Sequence, residues 1–208
     1  FLDDKIVDKK SWEEFMPKGV TKSIFKKFIK YYDKDVFIAA GRQIREKAKN
    51  ADSLTPTERV KEIAKLFSCF KNPDKETVLT PWRVVNMHMG MVLGGYNFYD
   101  EKYNLPLLNE PRFIDKGEIT SETLANKDAK ILEINSKTGL YPLYLAYSLY
   151  RTRKSSISDD VSIEKLNQIW EDVLKNNVFV ICKTPMAKSI TKRTLAGYKD
   201  YQINSHYF

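Results

Sequence analysis

The sequence predicts an α/β protein: a helical N-terminal subdomain followed by the first half of a Rossmann-like sheet. Three observations predict it. Residues 1–70 carry helical apolar spacing with no strand signal. Ile131-Leu132-Glu133-Ile134 is a short apolar run ending near an acid, and a small-polar loop, Gly139 and a helical stretch follow it. Val178-Phe179-Val180-Ile181-Cys182 is a continuous apolar run, the mark of a strand buried on both faces, and it also leads into a helix.

The elements follow in chain order. Ser11 stands three residues before Glu14, the spacing of a capping box. Thr21 opens the stripe Ile24, Phe25, Phe28, Ile29, Tyr32, and Lys26, Lys27 and Lys30 fall on the other side. A helix over 35–49 would turn Val36, Phe37, Ala40 and Ile44 inward, with Arg42 and Arg45 outward. Thr55 caps a further helix with Pro56 at its first position and Val60, Ile63, Ala64 and Phe67 inward. The polar break Lys71–Glu76 divides the chain into a helical subdomain, 1–75, and a second part, 76–208.

Thr80 is the expected N-cap of the next helix, with Pro81 as its first residue and Gly94-Gly95 as its stop. Met87, Met89 and Met91 on it read as core filler, and His88 as packed or half-exposed. Residues 96–129 are turn-rich, with a short strand over Arg112–Asp115 and a short helix capped by Thr120 or Ser121. Tyr141, Tyr144, Tyr147 and Tyr150 recur every third residue after Gly139, a stripe read as packing. A helix over 163–175 precedes the Val178 strand, a helix over 186–195 follows it, and a third strand begins after Tyr201. Strands alternating with helices predict a doubly wound parallel arrangement.

Composition bounds the function. The chain has 208 residues, 42% hydrophobic and 30% charged, which excludes global disorder and collagen-like repeats. No apolar run approaches the ~20 residues of a membrane helix, so no membrane partner is expected. Cys69 and Cys182 both sit beside apolar residues and read as reduced core thiols of a cytoplasmic protein. With His88 and His206 the only histidines, no zinc-binding spacing exists. Net charge is +8, and residues 1–70 hold 16 basic against 11 acidic side chains. Lys26, Lys27, Lys30, Arg42 and Arg45 are therefore candidate phosphate contacts, with DNA as the expected polyanion.

The loop after Ile134 has the form of a nucleotide-type cofactor site, since ligands bind outside the carboxyl ends of parallel strands. Glu133 disfavours direct phosphate contact and suits a group bearing a cation or hydroxyls. Gly139 lets the backbone approach another backbone or a ligand. Lys137-Thr138 looks like the end of a P-loop but lacks the required glycines, and G-x-G-x-x-G is absent.

Taken with Thr80-Pro81, this loop resembles that of the adenine-specific amino-methylating DNA methyltransferases of restriction–modification systems. The stretches TPWRVVNMHMG and ILEINSKTGLYPLY carry the resemblance. It implies a cofactor, S-adenosylmethionine, held by Thr80, Pro81, Glu133, Asn135, Ser136, Lys137, Thr138 and Gly139. It also implies methyl transfer to adenine N6 in DNA. Two positions depart from the family pattern: Lys137 stands where many members have glycine, and Cys182 where a strand-end acid receives the ribose hydroxyls. The family's Asn-Pro-Pro-aromatic tetrapeptide is missing, and Asn72-Pro73-Asp74-Lys75 reads as a turn. No catalytic residue is therefore assigned within 1–208. The expected partners are DNA and the remaining C-terminal part of the same enzyme, together with self-association through an open sheet edge. On these readings the chain alone transfers no methyl group. The alternative is a nucleic-acid-binding module with a degenerate methyltransferase fold that binds no cofactor.

Overall fold

The computed structural model describes residues 7–72, 78–157 and 160–207. The Asn72–Lys75 turn, the Lys71–Glu76 break and the 155–160 loop lie partly outside them. The chain is α/β. Helix α1 (Lys9–Phe15) is capped by Asp8, not Ser11. The Ser11 N–H and hydroxyl donate to Asp8 at 3.0 and 2.6 Å. Ser11 and Glu14 instead dock α1 onto a later helix, so the predicted capping pair makes a tertiary contact.

Thr21 caps α2 (Lys22–Phe28) as expected, a 3₁₀ turn (Ile29–Tyr31) follows, and Asp33 caps α3 (Lys34–Asn50). The rings of Trp12, Phe25, Tyr32 and Phe37 form a string with centroids 5.3–5.5 Å apart. Helix α3 buries no residue fully. Val36 and Phe37 are 62% and 42% exposed, and Ala40 is exposed too, contrary to the inward face expected of them. The segment is helical, but among the described residues α3 packs chiefly on the segment that follows it. Helix α4 (Pro56–Ser68) has the full Thr55/Glu58 capping box, and its Val60, Ile63 and Ala64 join one core cluster with the rest of the chain. The polar break after residue 70 therefore does not divide the core.

Helix α5 (Trp82–Val92) begins one residue later than expected, with Pro81 at its N-cap in extended backbone. Of its methionines only Met89 is buried. Met87 and Met91 lie two residues either side of it, about 200° round the helix, and face solvent. Strands β1 (Gly95–Asn97) and β2 (Arg112–Ile114) form an antiparallel pair. Gly117, not Thr120 or Ser121, precedes helix α6 (Glu118–Glu122). The Thr120 hydroxyl is used inside it, donating to Leu93 O at 2.7 Å.

The main sheet orders β3 (Ile131–Ser136), β4 (Val178–Cys182) and β5 (Asn204–Tyr207), all parallel. Helices α7 (Leu140–Lys154) and α8 (Ile163–Asn176) connect β3 to β4, and α9 (Pro185–Ala196) connects β4 to β5. Successive right-handed crossovers in one direction place these helices on one face. Val178, Val180 and Cys182 are buried there. On the other face Leu132 and Ile134 are 53% and 65% exposed, in register with Phe179 and Ile181. The described sheet is thus wound on one side, where the sequence predicts winding on both.

Tyr144, Tyr147 and Tyr150 are the largest fully buried side chains. The Tyr144 hydroxyl donates to Gly94 O at 2.7 Å, and the Tyr147 hydroxyl pairs with Thr57 Oγ1 at 3.0 Å. The tyrosine stripe is packing. Cys182 is buried, but Cys69 ends α4 and is exposed, unlike the core thiol expected there.

Candidate functional site

The loop between β3 and α7 is held from behind by α9. Asn135 has φ 66, and the β3–β4 register shifts between Ile134 and Ser136. That bulge redirects the chain at the strand's carboxyl end. The Ser136 hydroxyl pairs with Thr191 Oγ1 at 3.2 Å, and the Thr194 hydroxyl donates to Thr138 O at 2.6 Å. Gly139, at φ 78, caps α7. A Cβ on it would stand 3.0 Å from both Thr191 Cα and Thr194 Cβ. The backbone that Gly139 admits is therefore that of α9. Gly139→Ala combines this overlap with a left-handed φ and should cost about 1–3 kcal/mol. Urea unfolding checks it, and a loss under about 0.5 kcal/mol would show that α9 yields freely.

Two clefts open at this end of the sheet. Thr80, Pro81, Thr138 and Leu140 line the first, of about 580 Å³, with Trp82 and Phe98. The Thr80 hydroxyl has no hydrogen-bond partner among the described residues. Asn135 and Lys137 line the second, of about 1080 Å³, with Lys183, Trp12 and Glu14. The sequence-predicted cofactor residues thus divide: Thr80 and Pro81 meet Thr138, whereas Asn135 and Lys137 turn toward α1. Ser136 is buried, its hydroxyl taken up by α9.

Glu133 lies on the helix-facing side of β3, in register with Val180, and lines neither cleft. Burial raises its carboxyl to about 7. Burial also raises the Tyr141 phenol, and the Glu133 charge adds to that shift. Tyr141 OH pairs with His88 Nδ1 at 3.0 Å, which ties the start of α7 to α5. His88 itself is exposed.

At the end of β4, Cys182 is fully buried and its Sγ lies 3.8 Å from Thr191 Oγ1. Burial pushes the thiol up, with smaller contributions from the negative charges of Glu14 and Glu133. Glu14 arrives from α1: the Thr184 hydroxyl donates to its Oε2, and the Met186 N–H donates to Ser11 Oγ at 3.2 Å. Sequence reasoning gave Glu14 a capping role and missed this placement, because only the docking of α1 on α9 brings it to the strand's end.

Lys26, Lys27, Lys30, Arg42 and Arg45 are all exposed, as expected. Phe28 and Tyr31 are exposed among them, and Lys30 Nζ stands 5.0 Å from the Tyr31 ring centroid. Among the described residues no group of His, Cys, Asp or Glu side chains could hold a metal ion, and no helix is long and apolar enough to cross a membrane. No protein-family model, curated protein or solved structure matches this chain.

Proposed function

We propose that this chain is the cofactor-binding N-terminal part of a DNA methyltransferase that uses S-adenosylmethionine to methylate adenine N6. One observation carries the reading: Thr80-Pro81 and Thr138, from the loop after β3, line one cleft outside the carboxyl end of a parallel strand. This is where open α/β sheets bind ligands. The residues present suit the cofactor in part. Thr80 has a hydroxyl without a partner among the described residues, whereas Glu133, on the helix-facing side of β3, lines neither cleft. The cofactor supplies an electrophilic methyl group when bound. The chain's own residues bind and orient: Thr80 and Thr138 from the cleft walls, and the α9 threonines by fixing the loop.

A second reading has its own support. Ser136, Thr138 and Gly139 are already engaged by α9, and Cys182 brings no carboxylate to the end of β4. Such a loop suits a nucleic-acid-binding module without cofactor. The basic, aromatic-bearing surface of α2 and α3 serves either reading, because phosphates attract the lysines and exposed rings can stack on bases.

Calorimetric titration with S-adenosylmethionine separates the two. Saturable binding that Thr80→Val weakens about tenfold is expected. Absence of heat, alongside DNA affinity that falls steeply with salt, would leave the module reading in its place.

A further inference from the structure

We propose that the cleft between α3, α4 and α9 binds an apolar carboxylate, an acyl chain of medium length whose charge is held by Arg45 and Arg193. The inference goes beyond the cofactor reading and does not rest on it.

The first observation is the cleft and its walls. It holds about 450 Å³, within the ordinary range of small-molecule sites. Helix α3 supplies Ile44 and Ala48, α4 supplies Ile63, Leu66 and Phe67, and α9 supplies Ile190. All but Ile63 keep part of their surface exposed, and an apolar occupant would remove that surface from water. The second observation is Gly41, which lines the cleft from the middle of α3. Glycine weakens a helix interior. Neither a left-handed backbone nor a close neighbour calls for it here: its φ is not positive, and a Cβ would meet nothing within 4 Å. What this glycine does is keep the space open, since a larger side chain would fill it.

The third observation is charge. Arg45 and Arg193 line the cleft, and among the described residues no acidic side chain does. Arg193 is set in place: its Nη1 donates to Gly197 O at 3.0 Å, and its guanidinium carbon lies 4.2 Å from the Tyr198 ring centroid. Arg45 has no ion-pair or hydrogen-bond partner among the described residues.

The surroundings select the ligand. Two guanidiniums without a carboxylate favour an anion and repel a cation. A planar carboxylate matches the guanidinium fork. It carries one charge, so it leaves water for an apolar cleft at less cost than a doubly charged phosphate. The remaining walls are mostly apolar, and Thr194 already donates its hydroxyl to Thr138 O at 2.6 Å. A sugar or a base would lose hydrogen bonds to water there without replacing them. An alkyl chain has none to lose.

The test titrates the whole chain by calorimetry with decanoate and with decyltrimethylammonium, each below its micelle concentration. Decanoate is expected to fill one site and to bind at least about tenfold more tightly than the cation. Arg45→Gln should weaken decanoate about three- to tenfold. Gly41→Leu should abolish binding while melting no lower than the parent, because leucine is the better helix former. Equal affinity for the two amphiphiles, no decanoate binding at millimolar concentration, or binding that Gly41→Leu leaves intact would each overturn the inference. It also falls if an acidic leucine–glutamate helical peptide binds in place of decanoate, which would make the cleft a protein groove. Self-association of the parent that Gly41→Leu removes, without decanoate binding, would give the cleft to a second copy instead. Should Gly41→Leu fail to fold, the cation comparison and Arg45→Gln still decide.

Discussion

Arg59→Met should destabilise the protein by about 3–5 kcal/mol, the usual cost of removing one partner of a buried ion pair. Arg59 is 5% exposed on α4. Its Nε donates to Asp52 Oδ1 at 3.1 Å, Nη1 to Thr194 O at 3.0 Å and Leu195 O at 3.2 Å, and Nη2 to Arg193 O at 3.1 Å. One guanidinium thus satisfies three carbonyls of the last turn of α9, where the helix dipole also favours a cation. Asp52 accepts the Tyr198 N–H at 2.7 Å. Gly197, at φ 64, makes room for it, because a Cβ there would stand 1.9 Å from Asp52 Oδ1. Methionine keeps much of the arginine stem's packing but leaves Asp52 charged and half-buried and the three carbonyls without this donor. Chemical unfolding measures the loss, and melting should drop by roughly 10 °C. Asp52→Asn in the same background should cost less than it does alone, because the two act as a unit. A loss under about 1 kcal/mol would mean that water replaces the guanidinium. The effect reaches the candidate site, since α9 holds the β3–α7 loop through Thr191 and Thr194.

What the sequence made legible was local, and what it hid depended on distant partners. The strand Val178–Cys182 and the helix after Gly139 announced themselves because an apolar run and a helical stripe are readable within a dozen residues. Thr21 and Thr55 cap where a small polar residue precedes helical spacing. Strand β1, with only Gly95, Tyr96 and Asn97, exists through its pairing with β2 and had no signal of its own. The inward face assigned to α3 needed a covering element that the period alone could not supply. The same division runs through the site. Gly139 was visible as a loop glycine, whereas Glu133, read as a strand-end acid, lies mid-strand because β3 runs on to Ser136. That Gly139 answers to α9, that Ser136 bonds to Thr191, and that Glu14 meets Thr184 just after β4 all follow from long-range packing.

Glu133 should make the protein less stable as pH rises from about 4.5 to about 7, and Glu133→Gln should abolish that contribution. Burial is the cause: the carboxyl titrates at about 7 against an ordinary 4.5. The sign follows from proton binding. Between these two values the folded state holds a proton that the unfolded state has released, so folding is favoured at the acid end and loses ground as pH climbs. The stabilising proton is fully present below the unfolded value and gone above the folded one. A shift of this size corresponds to about 3 kcal/mol at most, and the partial exposure of Glu133 reduces it to about 2. Urea unfolding of both forms at about pH 5 and pH 8 isolates the term, since other titrating groups cancel in the difference. The amide variant should gain about 2 kcal/mol on the parent across that interval. A constant difference would mean that Glu133 is solvated and ionised throughout.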